Sequence, residues 1–141
     1  MKRCFLKIFC FIDRITELKK NESLTAFFKL KGNEEFLKDH FSDFPVMPGV
    51  LLLETLKQAA ASLLERSKGT GKVFFRLVSA EEVKFGQFVK PGSELKIFVR
   101  FLKKEGDFQF FDGRIDLLGG PEDPSRGKAL SASFALAPVS A

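Results

Sequence analysis

The sequence predicts an α+β fold, a curved antiparallel sheet wrapped around one long central helix, and three observations carry that expectation. Only one stretch, about residues 48–67, reads as a long helix: it opens on Pro48-Gly49 and runs through Leu51, Leu52, Leu53, Leu56, Ala59, Ala60, Ala61 and Leu63 to the breaker Ser67-Lys68-Gly69-Thr70-Gly71. The long segments around it are rich in β-favouring residues and punctuated by turn residues. The chain has 141 residues, 45% of them hydrophobic, which suits one compact domain over 1–141. One helix and about six strands cannot build a doubly wound sheet, so the strands must curve around the helix.

Taken in order, residues 5–19 and 23–31 flank Lys20-Asn21-Glu22 and read as an opening hairpin. Asn33 to Lys38 reads as a short helical turn, and Asp39 to Met47 as a structured loop. Pro48 suits the first helical position because its missing N–H would have no helical partner there. Apolar residues fall on nearly every side of this helix and its Ala triplet lets neighbours approach, so burial is expected. Strands follow at about 73–86, 93–104, 107–118 and 127–136, separated by Pro91-Gly92, Glu105-Gly106 and Gly119-Gly120-Pro121. Such short connections predict antiparallel neighbours.

Composition narrows the function classes. No apolar run approaches the roughly 20 residues that span a bilayer, and the apolar start is interrupted by Lys7 and Asp13, so neither a membrane anchor nor a signal peptide is expected. Cys4 and Cys10 lie close together, where a bridge would close only a short loop. They suit a reducing cytoplasm, and with a single histidine they make a poor metal set, so no metal is expected. The net charge of +5 is scattered through the chain and favours an acidic partner without naming it. Lys84 to Lys90 mixes basic and aromatic residues, but not in the order of an RNA-binding strand. Eighteen Phe without Tyr or Trp suit a dry apolar lining better than a base-stacking surface. Gly69 to Lys72 lacks the spacing of a phosphate loop and reads as a turn.

Two residues stand out as chemistry. His40 is the only histidine, able to move a proton near neutral pH, and Glu54 is an acid on an otherwise mostly apolar helix. Gly49 near the helix start offers an N–H unobstructed by a side chain, which the helix dipole would help to polarise a carbonyl. Each has a plain structural alternative. His40 beside Phe41 and Phe44 fits a loop or core residue, and Glu54 fits a helix-surface salt bridge to Lys57 at i+3, position i+4 being the neutral Gln58.

The run from His40 to Glu54, HFSDFPVMPGVLLLE, followed by Gln58, resembles the active-site signature of the (3R)-hydroxyacyl-acyl carrier protein dehydratases of fatty acid synthesis, with the spacing from His to Glu matching throughout. Phe11-Ile12-Asp13-Arg14-Ile15 resembles that family's first strand, and Val83-Lys84-Phe85 through Pro91-Gly92-Ser93-Glu94-Leu95 its strand-turn-strand after the helix. The resemblance covers about residues 9–137. It implies a single hot-dog domain, with two such domains joining their sheets in a homodimer, or three dimers together, and His40 and Glu54 meeting across the interface. It implies that His40 removes the proton next to the thioester carbonyl, that the Gly49 N–H polarises that carbonyl, and that Glu54 protonates the leaving 3-hydroxyl. Phe41, Pro48, Val50, Gln58, Phe85 and Phe88 would contact the substrate, which arrives on the phosphopantetheine arm of acyl carrier protein with no further cofactor.

The chain departs from this pattern at Ser42, where the family has Pro, at Lys57, where it has a small residue, and at Phe88, where it has Pro. The family's His-Arg-Tyr-Pro-like entry before the first strand is also missing. A cation beside Glu54 would weaken it as a proton donor. The expectation is therefore that Lys57 points outward, its stem covering the helix and its charge reaching solvent or the carrier protein. A thioesterase or isomerase on the same fold is the next reading, then a non-catalytic acyl-binding protein.

Overall fold

In the computed structural model, residues 10–31, 47–68, 74–118 and 127–139 are described. Strands β1 (Arg14–Lys19) and β2 (Ser23–Lys29) form the opening hairpin. Its turn closes with Asn21 at φ 62°, a left-handed conformation that Asn tolerates, and with the Glu22 N–H donating to the Lys19 carbonyl at 2.9 Å. The first strand begins later than the sequence suggests. Residues 10–13 are not in a strand, and Asp13 instead uses its carboxylate to accept from the Lys29 N–H at 2.8 Å.

Helix α1 (Gly49–Lys68) follows, then β3 (Phe75–Phe85), β4 (Glu94–Glu105), β5 (Phe108–Leu118) and β6 (Gly127–Pro138). The helix starts one residue after the expected position. Pro48 caps it, its carbonyl accepting from the Leu51 and Leu52 N–H groups at 3.0 and 3.3 Å. The six strands form one antiparallel sheet in the order β1-β2-β4-β5-β6-β3, and α1 packs across it against β2 to β6. This is the hot-dog arrangement.

One expectation fails. The short Pro91-Gly92 turn does not make β3 and β4 neighbours, because β3 pairs only with β6 at the far edge and β4 lies between β2 and β5. The chain leaves β3 at Gly86, where an added Cβ would fall 2.0 Å from the Lys128 carbonyl oxygen, so only glycine fits that close approach. Gly86 and Gln87 still donate to β6, at the Ala129 and Lys128 carbonyls, and the chain then crosses below the helix start, where Met47 donates to the Val89 carbonyl at 2.8 Å. It reaches the other side of the sheet where Leu30 and Ser93 bond at 2.9 Å. Turn residues show that the chain bends; they do not show where the next strand finds its partner.

The core lies between α1 and the inner face of the sheet. Alternation along β4 and β5 buries Leu95, Ile97, Val99, Phe111, Ile115 and Leu117, all at 0 or 1% exposure. The helix comes close to the sheet at Gly113, where an added Cβ would meet Leu56 at 2.9 Å and Phe134 at 2.8 Å. Phe111 stacks on Phe134 at 5.5 Å and meets Phe101 edge-on at 5.6 Å. The outer face carries charges instead: Arg100 pairs with Asp112 directly across β4 and β5, and Ser133 on β6 donates to the same carboxylate at 2.8 Å. Among the described residues no helix is long and apolar enough to cross a membrane. Cys10, expected as a reduced thiol, is disulfide-bonded.

Candidate active site

Glu54 sits in the second turn of α1, on the side turned away from the buried stripe of Leu52, Leu56, Ala59 and Leu63. Helical spacing puts residues 54, 57 and 58 on one face, because i+3 and i+4 lie one turn on. The structure uses both neighbours. The Lys57 ammonium lies 3.1 Å from Oε1 of Glu54, and Nε2 of Gln58 donates to Oε2 at 3.1 Å. The Glu54 and Lys57 side chains are 25% and 21% exposed.

Gln58 is itself held. Its Oε1 accepts from the backbone N–H of Phe11 at 2.8 Å, and Phe11 is locked into the core by an edge-on contact with Phe28 at 5.5 Å. Since a backbone N–H can only donate, this bond turns the amide so that its NH2 faces Glu54. The expectation that Lys57 points outward is therefore corrected: it folds back onto Glu54, the salt bridge that helical spacing allowed. The part played by Phe11 has no local sequence signal, since it joins positions 47 residues apart.

Gly49, the first residue of α1, lies against Phe85 at the end of β3. An added Cβ would stand 2.8 Å from Cε1 and 2.9 Å from Cζ of that ring, so a side chain at 49 would displace it. As the opening helical residue, Gly49 has no carbonyl one turn back in the helix for its N–H to bond. Pro48 is half-buried beside it. Val50, Phe85 and Phe88 are large apolar side chains left 70, 55 and 65% exposed. The structure thus brings Gly49 to Phe85 and Glu54 to Gln58, and it leaves three of the expected substrate contacts open at this end of the molecule. His40, Phe41 and Ser42, with the expected turn at Asn33 to Lys38, lie outside the described residues.

A helix wrapped by a six-stranded antiparallel sheet, with an acid on the side turned away from the sheet, defines a hot-dog protein. Comparison narrows this. Residues 16–116 match the ApeI-like family, ApeI dehydratase. The chain is 36% identical over 99 residues to the 3-hydroxyacyl-[acyl-carrier-protein] dehydratase FabZ of Oceanobacillus iheyensis, covering 70% of each chain. It is 37% identical over 107 residues to that of Vibrio atlanticus, covering 74% of this chain and 71% of the relative. Among solved structures, the dehydratase heterocomplex ApeI:P of Xenorhabdus doucetiae superposes with a TM-score of 0.72 at 12% identity, covering 92% of this chain and 82% of that one. A hypothetical thioesterase with coenzyme A from Streptococcus pneumoniae superposes with a TM-score of 0.62 at 13% identity, over 89% and 84% of the two chains. These structures share the fold. The chain belongs to the ApeI-like dehydratase family.

Proposed function

We propose that this protein dehydrates a (3R)-hydroxyacyl thioester carried on acyl carrier protein to the trans-2-enoyl thioester, in fatty acid synthesis or a related lipid or polyketide route. The observation that carries this reading is the FabZ dehydratase likeness, 36% identical over 70% of the chain, together with an acid at Glu54 held by hydrogen bonds on the open side of the central helix. In this reading His40 takes the proton next to the thioester carbonyl, the N–H of Gly49 stabilises the oxygen as it gains charge, and Glu54 gives a proton to the 3-hydroxyl as the C3–O bond breaks. Protons move only between side chains and substrate, so no cofactor is called for beyond the arm that carries the acyl chain. Phe41, Pro48, Val50, Gln58, Phe85 and Phe88 would line the acyl path.

The site would be completed by a second copy. Strand β3 is an edge of the sheet, 11 residues long with none buried, its half-buried Leu77, Val78, Ala80 and Val83 lying among exposed Arg76, Glu81, Glu82 and Lys84, and an edge backbone is available for pairing. Two β3 edges would join the sheets, and in this reading, as the family resemblance implies, His40 of one chain meets Glu54 of the other. Three such dimers would form the larger assembly. The net charge of +5 suits an acidic carrier protein. The cytoplasmic setting rests on this substrate and not on the cysteines.

The test is to offer purified protein 3-hydroxyacyl carrier-protein thioesters of several chain lengths and follow enoyl absorbance in the ultraviolet. Enoyl product is expected, and mixing inactive His40→Ala and Glu54→Gln chains should restore some activity. Release of free thiol without enoyl product would make the protein a thioesterase. Acyl binding without turnover would make it a binding protein.

A further inference from the structure

Lys57 is one of the places where this chain parts from the family pattern, and the structure gives that difference a place to act. Both oxygens of Glu54 are engaged at once, Oε1 by the Lys57 ammonium and Oε2 by the Gln58 amide, each at 3.1 Å. The Gln58 amide is oriented in turn by the Phe11 N–H at 2.8 Å, and Phe11 is 1% exposed. A long glutamate side chain on the open side of a helix would otherwise sample several rotamers. Here two donors, one anchored in the core, select one.

We propose that Lys57 is a positioning residue for the reaction: with Gln58 it clamps Glu54 in the orientation from which it serves the leaving hydroxyl. The inference rests on the reading of Glu54 given above. A cation beside an acid opposes proton donation, and the clamp works against that cost by fixing orientation and by fitting the state that the step produces. As the Glu54 proton passes to the 3-hydroxyl, the C3–O bond breaks, water departs and a carboxylate remains, and that carboxylate already has a donor on each oxygen. The arrangement need not be rebuilt during the step, which is how preorganised donors lower a barrier. Lys57 touches no reacting atom; it acts through Glu54.

Steady-state kinetics of Lys57→Met, Lys57→Arg, Glu54→Gln and the Glu54→Gln/Lys57→Met double variant test this on the carrier-bound substrate. Loss of the ammonium in Lys57→Met should lower kcat about tenfold with KM within about twofold, the pattern of lost orientation and not of lost binding. Lys57→Arg, which keeps a charged donor, should recover most of that loss. In the Glu54→Gln background Lys57→Met should cost nothing further, because its effect passes through Glu54. Gel filtration and thermal unfolding confirm that each variant folds, and Lys57→Gln serves in place of Lys57→Met if the latter does not. Unchanged or faster turnover in Lys57→Met overturns the clamp, as does a full additional loss in the double variant or a loss confined to KM. If Glu54→Gln is as active as the parent, the reading of the site itself has failed. If Glu54→Gln is inactive while Lys57→Met is normal, only the clamp has failed.

Discussion

The two sides of helix α1 are built from the same apolar-rich sequence and do different work. Toward the sheet, Leu52, Leu56, Ala59, Ala60 and Leu63 are at most 3% exposed, and the helix presses on β5 so closely that only glycine fits at 113. Away from it, Val50 is 70% exposed, and Glu54, Lys57 and Gln58 form a polar cluster tied to Phe11. Burial on one side holds the helix as a rigid platform. The other side can then carry a fixed carboxyl, because Lys57 and Gln58, which orient it, stand on an element anchored in the core.

Substitutions on the two sides should separate stability from turnover. The largest effect is expected from Glu54→Gln, which should lower turnover on the order of 10²- to 10⁴-fold, as for loss of a general acid. Its partly buried ion pair is worth little to folding, so the unfolding free energy should change by less than about 1 kcal/mol. Equal losses of activity and stability would erase the division between the sides.

Leu56→Ala, at 0% exposure, should cost about 3–4 kcal/mol in denaturant unfolding by leaving a cavity under the helix. Turnover of the remaining folded protein should stay close to that of the parent. A smaller cost, of about 1–3 kcal/mol, is expected for Gly113→Ala, whose methyl would stand 2.8 Å from Phe134 Cε1 in a core without slack. A neutral result there would mean that helix and sheet can separate without penalty. The smallest effect belongs to Val50→Ser on the open side, which should change unfolding by less than about 0.5 kcal/mol. A loss near that of Leu56→Ala would show that a second copy covers Val50 in the folded protein, and so would sharpen the comparison into a statement about the assembly.

Much of this was legible in the residues. The helix was readable within a residue or so because Pro-Gly, a leucine run and a Gly-rich stop are local signals, and β4, β5 and β6 were bounded by their own turns. Glu54 stood out as an acid on an apolar helix. The pairing of Lys57 with Glu54 was also visible as a spacing, but an i+3 separation permits an ion pair without requiring one. What decided it was the surface around the pair, partly closed to water on a side where the Lys57 head group finds the carboxylate close by.

The amino-acid sequence by itself determined the elements, their amphipathic faces and the chemical groups available, since these follow from local propensity and from periods of 2 and 3.6 residues. Tertiary structure alone decided which strands are neighbours, so that β3 went to the free edge while β4 entered the middle of the sheet. It alone brought Phe85 over Gly49 and the Phe11 N–H to Gln58, 36 and 47 residues apart in the chain. Such contacts come from how the sheet closes around the helix, and no window of sequence holds both partners.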